Sequence, residues 1–158
     1  MARYMHKINH EEATLKEALS ILKNRIDQGS ISCYGEAKSY LQLKLALSPY
    51  EVFGVILIAR NKRILSIDEL FYGGAHNVQV DLRRLCAHVL SSAAASAILY
   101  HNHPGRSQHI SEEDIAVTKS IRDALMPFGI SVEDHFVVGD EIVSMKKYHR
   151  DIFQVKKL

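Results

Sequence analysis

A chain of 158 residues that is 47% hydrophobic and 24% charged, with a formal net charge of +2, has the composition of one globular domain and not of a disordered, fibrous or membrane-spanning chain. A fold of this length buries roughly 68–70% of the surface its unfolded chain exposes, so neither a disulfide nor a metal is required for folding, and a bound metal would serve chemistry. The charge is too small to argue for nucleic acid, and Cys33 and Cys86 form no C-x-x-C pair, so both read as reduced thiols.

Along the chain, Leu15, Ala18, Leu19, Leu22 and Ile26 recur at helical spacing, and Gly29 stops that helix. Ala37, Tyr40, Leu41 and Leu45 form the stripe of a second helix, ended by Ser48-Pro49 because the residue before proline is pushed out of the helical region. The longest apolar run, residues 52–59, has eight residues, far short of the roughly 20 that span a bilayer. Together with a polar opening over 1–12 that lacks a signal-peptide core, this predicts a cytoplasmic location and no membrane contact.

From Glu51 the period changes. Residues 52–58 and 64–67, joined by the turn Arg60-Asn61-Lys62, predict a hairpin of buried strands. After Gly73-Gly74, Asp81 reads as an N-cap, and Leu82, Leu85, Cys86, Val89 and Ala93 line one helical face. Residues 95–103 read as a strand. Ser111 opens another helix with Ile115, Thr118, Ile121, Leu125 and Phe128 as its buried face, and 130–138 with 141–145 make a last strand pair. The expectation is an α/β fold, a mixed central sheet flanked by helices, with an N-terminal helical extension. Residues 109–141 carry eight acidic side chains against Lys119 and Arg122, whereas 142–158 reverse the balance with Lys146, Lys147, Arg150, Lys156 and Lys157 against Asp151, predicting a solvated basic tail.

The segment that carries chemistry is Tyr100-His101-Asn102-His103-Pro104. Residues two apart on a strand face the same side, so His101 and His103 can reach one ion. Ser111-Glu112-Glu113-Asp114 reads as a helix start, and the intervening loop is long enough to fold Asp114 back over the strand end. Two imidazoles and a carboxylate with one open tetrahedral position are the ligand pattern of a catalytic zinc site. Ser111 with Asp114 is also an S-x-x-D capping pattern, and capping and chemistry need not compete.

His101-x-His103, seven residues, Ser111, two residues and Asp114 match the JAMM motif of the JAB/MPN metalloprotease superfamily, and the chain resembles its RadC-type proteins. The likeness extends to Glu51-Val52-Phe53 before the apolar strand, the alanine-rich strand ending His101-Asn102-His103-Pro104, and Asp134-His135-Phe136-Val137-Val138-Gly139. The resemblance implies a JAB/MPN, cytidine-deaminase-like fold with a helical extension over 1–35, a RadC-like JAB domain over 36–146 and a basic tail over 147–158. It further implies one zinc per chain on His101, His103 and Asp114, Glu51 as general base, and Ser111 as a donor to the tetrahedral intermediate. Asp68 and Glu69, at the next strand end, are alternatives for the base. His76 and His109 read as exposed loop histidines and His135 as support for the site. The loop Gly105-Arg106-Ser107-Gln108-His109-Ile110 departs from the family's usual sequence there, which bears on substrate selection. Longer RadC proteins carry a helix-hairpin-helix module ahead of this domain, for which 158 residues leave no room.

The function so implied is zinc-dependent hydrolysis of a peptide, isopeptide or other amide bond, with a peptide or protein substrate as partner. The alternative is a DNA-repair-associated accessory or binding protein, whose mark would be binding that weakens steeply with salt. A zinc deaminase needs P-C-x-x-C, which the two isolated cysteines cannot supply. A metal-dependent nuclease is a further alternative, although two-metal sites usually need more carboxylates near the ion than one ligand and one base.

Overall fold

The computed structural model describes residues 2–28, 34–45, 48–73, 78–103, 105 and 109–154, with side chains from His10 onward except at Tyr34. Two helices, α1 (Ala2–Asp27) and α2 (Tyr34–Leu45), precede the strands β1 (Val52–Ile58) and β2 (Ile64–Tyr72). Then come α3 (Leu82–Leu90), β3 (Ser96–Asn102), α4 (Glu112–Leu125), β4 (Ser131–Val138), β5 (Ile142–Ser144) and the short α5 (Met145–Tyr148). The strands form one mixed sheet in the order β2-β1-β3-β4-β5, antiparallel except for the parallel pair β3 and β4 that α4 connects. The predicted α/β architecture is therefore the observed one.

Strands buried on both faces read as continuous apolar runs, and β1 and β3 are buried at every position because helices cover both sides of the sheet. On one face Val52, Ile56, Ile58, Ile98 and Tyr100 pack with Ala37, Tyr40, Leu41 and Leu45 of α2 and with Ile26 of α1. On the other, Phe53, Val55, Leu57, Ala97 and Leu99 pack with Leu85 and Val89 of α3 and Ile121 and Leu125 of α4. Asp81 caps α3 by accepting the Arg84 N–H at 3.1 Å. Among the described residues no helix is long and apolar enough to cross a membrane. Cys86 is a free thiol, and Cys33 lies outside the described residues.

The structure corrects several expectations. Strand β2 runs to Tyr72, well past residue 67, because two extra residues, Leu65 and Leu70, bulge out of its pairing with β1 and break the simple alternation a sequence pattern looks for. Leu82 and Ala93 are exposed, one at the first turn of α3 and the other beyond its end at Leu90. Phe128 is exposed as well, since the chain tightens into a 3-10 turn over Met126–Phe128 and closes on Gly129 at φ 72°, rotating Phe128 off the buried face. Over its described part, to Gln154, the chain after Met145 is folded. Helix α5 leads into a 3-10 turn at Arg150–Phe153, Ile152 is buried, and Arg122 of α4 donates from Nη1 to the Ile152 carbonyl at 2.7 Å.

An irregularity in β4 decides which way His135 faces. Ala97 pairs with Val132 and Ile98 with Asp134, so Glu133 is an inserted residue in the strand. Val132 packs with the α3 and α4 side and Phe136 and Val138 with the α1 and α2 side, although all three numbers are even. His135 consequently shares the α4 side with Val132, and not with Ser131 and Glu133 as strict alternation predicts.

Candidate metal centre

Because β1 and β3 are antiparallel with Phe53 opposite His101, the residue that enters β1 lies beside the residue that leaves β3. Glu51 and His103 meet there despite their distance in sequence. Asn102 fastens the junction: its Oδ1 accepts the Val52 N–H at 2.7 Å and its Nδ2 donates to the Tyr50 carbonyl at 3.2 Å, clamping the backbone on both sides of Glu51. The Gly73 N–H donates to the Glu51 carbonyl at 2.8 Å and adds the end of β2 to the clamp.

On the α4 side of β3, His101 Nε2 and His103 Nε2 lie 3.0 Å apart, and Asp114 Oδ1 is 3.2 Å from His101 Nε2. Glu51 is held close by: it, His101 and His103 each offer a ligand atom, all within 4.8 Å of one another. Glu51, His101 and His103 thus lie close enough to bind a metal ion. Burial of His101 lowers its pKa to about 4, outweighing the attraction of Asp114 and helped by repulsion from His103. The ring is thus neutral near pH 7 and able to offer a nitrogen lone pair.

Asp114 is aimed by its own helix. Ser111 caps α4, its Oγ accepting the Asp114 N–H at 3.1 Å, and the Ser111 backbone N–H and hydroxyl both donate to Asp114 Oδ2, at 2.8 and 2.7 Å. With Oδ2 engaged twice, Oδ1 is the oxygen turned to His101. The Ser111 hydroxyl therefore lies on the wall of the site with its proton directed at Asp114.

Glu51, His101, His103, Ser111 and Asp114 line one cleft of about 470 Å³, whose apolar walls are Phe53, Val78, Val80 and Val117. Glu51 is buried there and its pKa is raised, by burial first and by Asp114 second, against the opposing pull of His103 and a hydrogen bond from the Val78 backbone. Glu69 is elsewhere. It pairs with Lys44 at 2.7 Å on the α2 face of the sheet, while Asp68 accepts from Ser66 at 2.6 Å and lies 2.9 Å from His88 Nε2. Of the three carboxylates weighed as a base, Glu51 lines the cleft and Asp68 and Glu69 do not. His109 is exposed, and His76 lies outside the described residues.

Behind this cluster, His101 Nδ1 is 2.8 Å from His135 Nε2, and His135 Nδ1 is 2.6 Å from Thr118 Oγ1. His135 is fully buried, and that burial holds its pKa well below the ordinary value. Sequence reasoning missed Asn102 as the clamp on Glu51 and read Thr118 only as core. The signal that could have found them was polarity: a side chain such as Asn102, inside an otherwise apolar buried strand, must find partners.

A family model described as "RadC-like JAB domain" matches residues 31–150. The UPF0758 protein Mpe_A2695 of Methylibium petroleiphilum is 39% identical over 128 residues, covering 80% of this chain and 58% of that protein. A UPF0758 protein of Janthinobacterium sp. is 40% identical over 106 residues, 67% of this chain and 47% of its own length. A UPF0758 protein of Vibrio cholerae is 35% identical over 136 residues, 85% of this chain and 86% of that protein. The chain thus spans about half the length of several curated relatives it matches.

Proposed function

This chain belongs to the RadC-like JAB domain family, and from that premise we propose that it is a zinc-dependent hydrolase that cleaves a peptide, isopeptide or other amide bond. The observation that carries the reading is that His101 Nε2 lies 3.0 Å from His103 Nε2 and 3.2 Å from Asp114 Oδ1, beside the buried carboxylate of Glu51. His101, His103 and Asp114 would hold the ion. Zinc at such a site lowers the pKa of water to about 7 and polarises a carbonyl oxygen.

Glu51 takes the base's part because its carboxylate sits at the cleft wall with a raised pKa, which brings its proton affinity closer to that needed to accept a proton near neutrality and return it to a leaving amine. Ser111 Oγ, once turned from Asp114 Oδ2 toward the substrate, would donate to the oxygen that gains charge. Phe53, Val80 and Val117 supply the apolar wall that strengthens these polar contacts by excluding water. The partner this arrangement serves is a peptide or protein chain.

Elemental analysis of the purified and zinc-supplemented protein is expected to find about one zinc per chain, lost in Asp114→Ala while the circular dichroism spectrum persists. A folded native protein that takes up none overturns the reading. With zinc content established, a screen of peptides and isopeptides should find turnover that drops about 100-fold to 10,000-fold in Glu51→Gln, as removal of a general base does. Loss of zinc from Glu51→Gln would instead make Glu51 a ligand.

A further inference from the structure

We propose that Thr118 and His135 act as positioning residues that fix the proton of His101 on Nδ1, so that its Nε2 is kept as a bare lone pair directed at the metal position. The proposal rests on the metal-binding half of the proposed function and adds two residues to it that no ligand motif contains.

The direction of each hydrogen bond comes from counting protons. Thr118 Oγ1 has two close partners, the Asp114 carbonyl oxygen at 2.5 Å and His135 Nδ1 at 2.6 Å, and only one hydrogen to give. A carbonyl never donates. If the hydroxyl pointed at His135, two oxygens would face each other at 2.5 Å with no proton between them. The hydroxyl therefore donates back one turn of α4 to Asp114, a familiar pattern for threonine in a helix, and accepts from His135. His135 Nδ1 must then carry the hydrogen.

The remaining protons are fixed in turn along the line. His135 and Thr118 are fully buried, and a neutral imidazole has one donor and one acceptor. With Nδ1 as donor, His135 Nε2 is an acceptor, and the partner it faces at 2.8 Å is His101 Nδ1. That nitrogen supplies the proton, which leaves none for His101 Nε2. The bare nitrogen points at His103 Nε2 and Asp114 Oδ1, at 3.0 and 3.2 Å. Phe53 packs edge-on against the His135 ring with centroids 5.5 Å apart and lies nearly parallel to His101, restraining both ring planes. Asp114 stands at both ends of the line: its carbonyl receives the first proton and its carboxylate faces the nitrogen that the last one vacates. Helix α4 thus sets two ligands, one directly and one through three hydrogen bonds.

The test uses the full chain, freed of metal by chelator and labelled with nitrogen-15 in histidine. Correlation spectra of the rings distinguish proton-bearing from bare nitrogens, and His101 and His135 are expected to carry hydrogen on Nδ1 alone. Hydrogen on His101 Nε2 in the native protein overturns the proposal without any variant. Thr118→Val keeps the shape and removes the acceptor for His135, so the His101 proton should move to Nε2. Zinc affinity, measured by competition with a chromophoric chelator, should then fall roughly 10-fold to 100-fold, as loss of an outer partner of a ligand does. Thr118→Ser should restore both the ring pattern and the affinity. A Thr118→Val protein with native ring pattern and native affinity overturns the proposal. Failure of the native protein to bind zinc would sink the hydrolase reading, whereas the ring pattern of the metal-free protein still decides this one.

Discussion

Ser111 shows how one residue joins folding to chemistry. Its backbone N–H and hydroxyl fix Asp114 Oδ2 and its Oγ caps α4. Ser111→Ala should therefore cost about 1 kcal/mol of stability in urea unfolding, as loss of a cap does, and should weaken zinc binding in the same protein. Ser111→Thr, which keeps the oxygen, should lose little of either. A variant that lost stability and kept native zinc affinity would show that the cap does not aim the carboxylate. At this scale the sequence was most legible where partners are local. His101 and His103 share a side through the two-residue period of a strand, and Asp114 follows its cap by three residues. Asn102, Thr118 and His135 were not legible as a set, because their partners come from β1, α4 and β3 and no short spacing links them.

The strands and helices that carry the site were legible as apolar runs and stripes, and their irregularities were not. Bulges at Leu65, Leu70 and Glu133 leave composition unchanged and shift the phase of alternation, and the 3-10 turn after α4 swings Phe128 outward by a change of helical type. Within β1 the sequence also hides a tight contact. A Cβ on Gly54 would run into the Asp68 carbonyl oxygen and the ring of Tyr100, which are a paired backbone and a fully buried side chain. Neither can yield cheaply, so Gly54→Ala should destabilise the protein by about 3 kcal/mol, the upper part of the usual range for overpacking. The midpoint of urea unfolding measures it, and an unchanged midpoint would mean that β1 and β3 slide apart more readily than their pairing indicates.

For the molecule as a whole, the two helical layers bury titratable groups beside the sheet, and stability should report it. In the metal-free protein His101 is lowered from 6.5 to about 4 and His135 well below its ordinary value, both by burial. As pH falls from 6.5 the unfolded chain binds protons that the folded one refuses, so the stability these two contribute is present above pH 6.5 and lost below it. Each adds a slope of about 1.4 kcal/mol per pH unit. Glu51, raised by burial, works in the opposite sense and offsets part of this. Unfolding at pH 5 should therefore need clearly less urea than at pH 7, and a flat profile would show that the two rings reach solvent. The order of elements from α1 to β5 was legible because each helix and strand has its own period. The folding back of residues 145–154 was not, because basic side chains masked the buried Met145 and Ile152. The inserted Glu133 has a consequence for how this sequence can change length. Replacing it leaves the strand in phase, but deleting it would exchange the two sides for residues upstream or downstream, sending His135 away from His101 or Val132 out of its core. At this place in the chain, an insertion or deletion of one residue is a far larger event than any substitution.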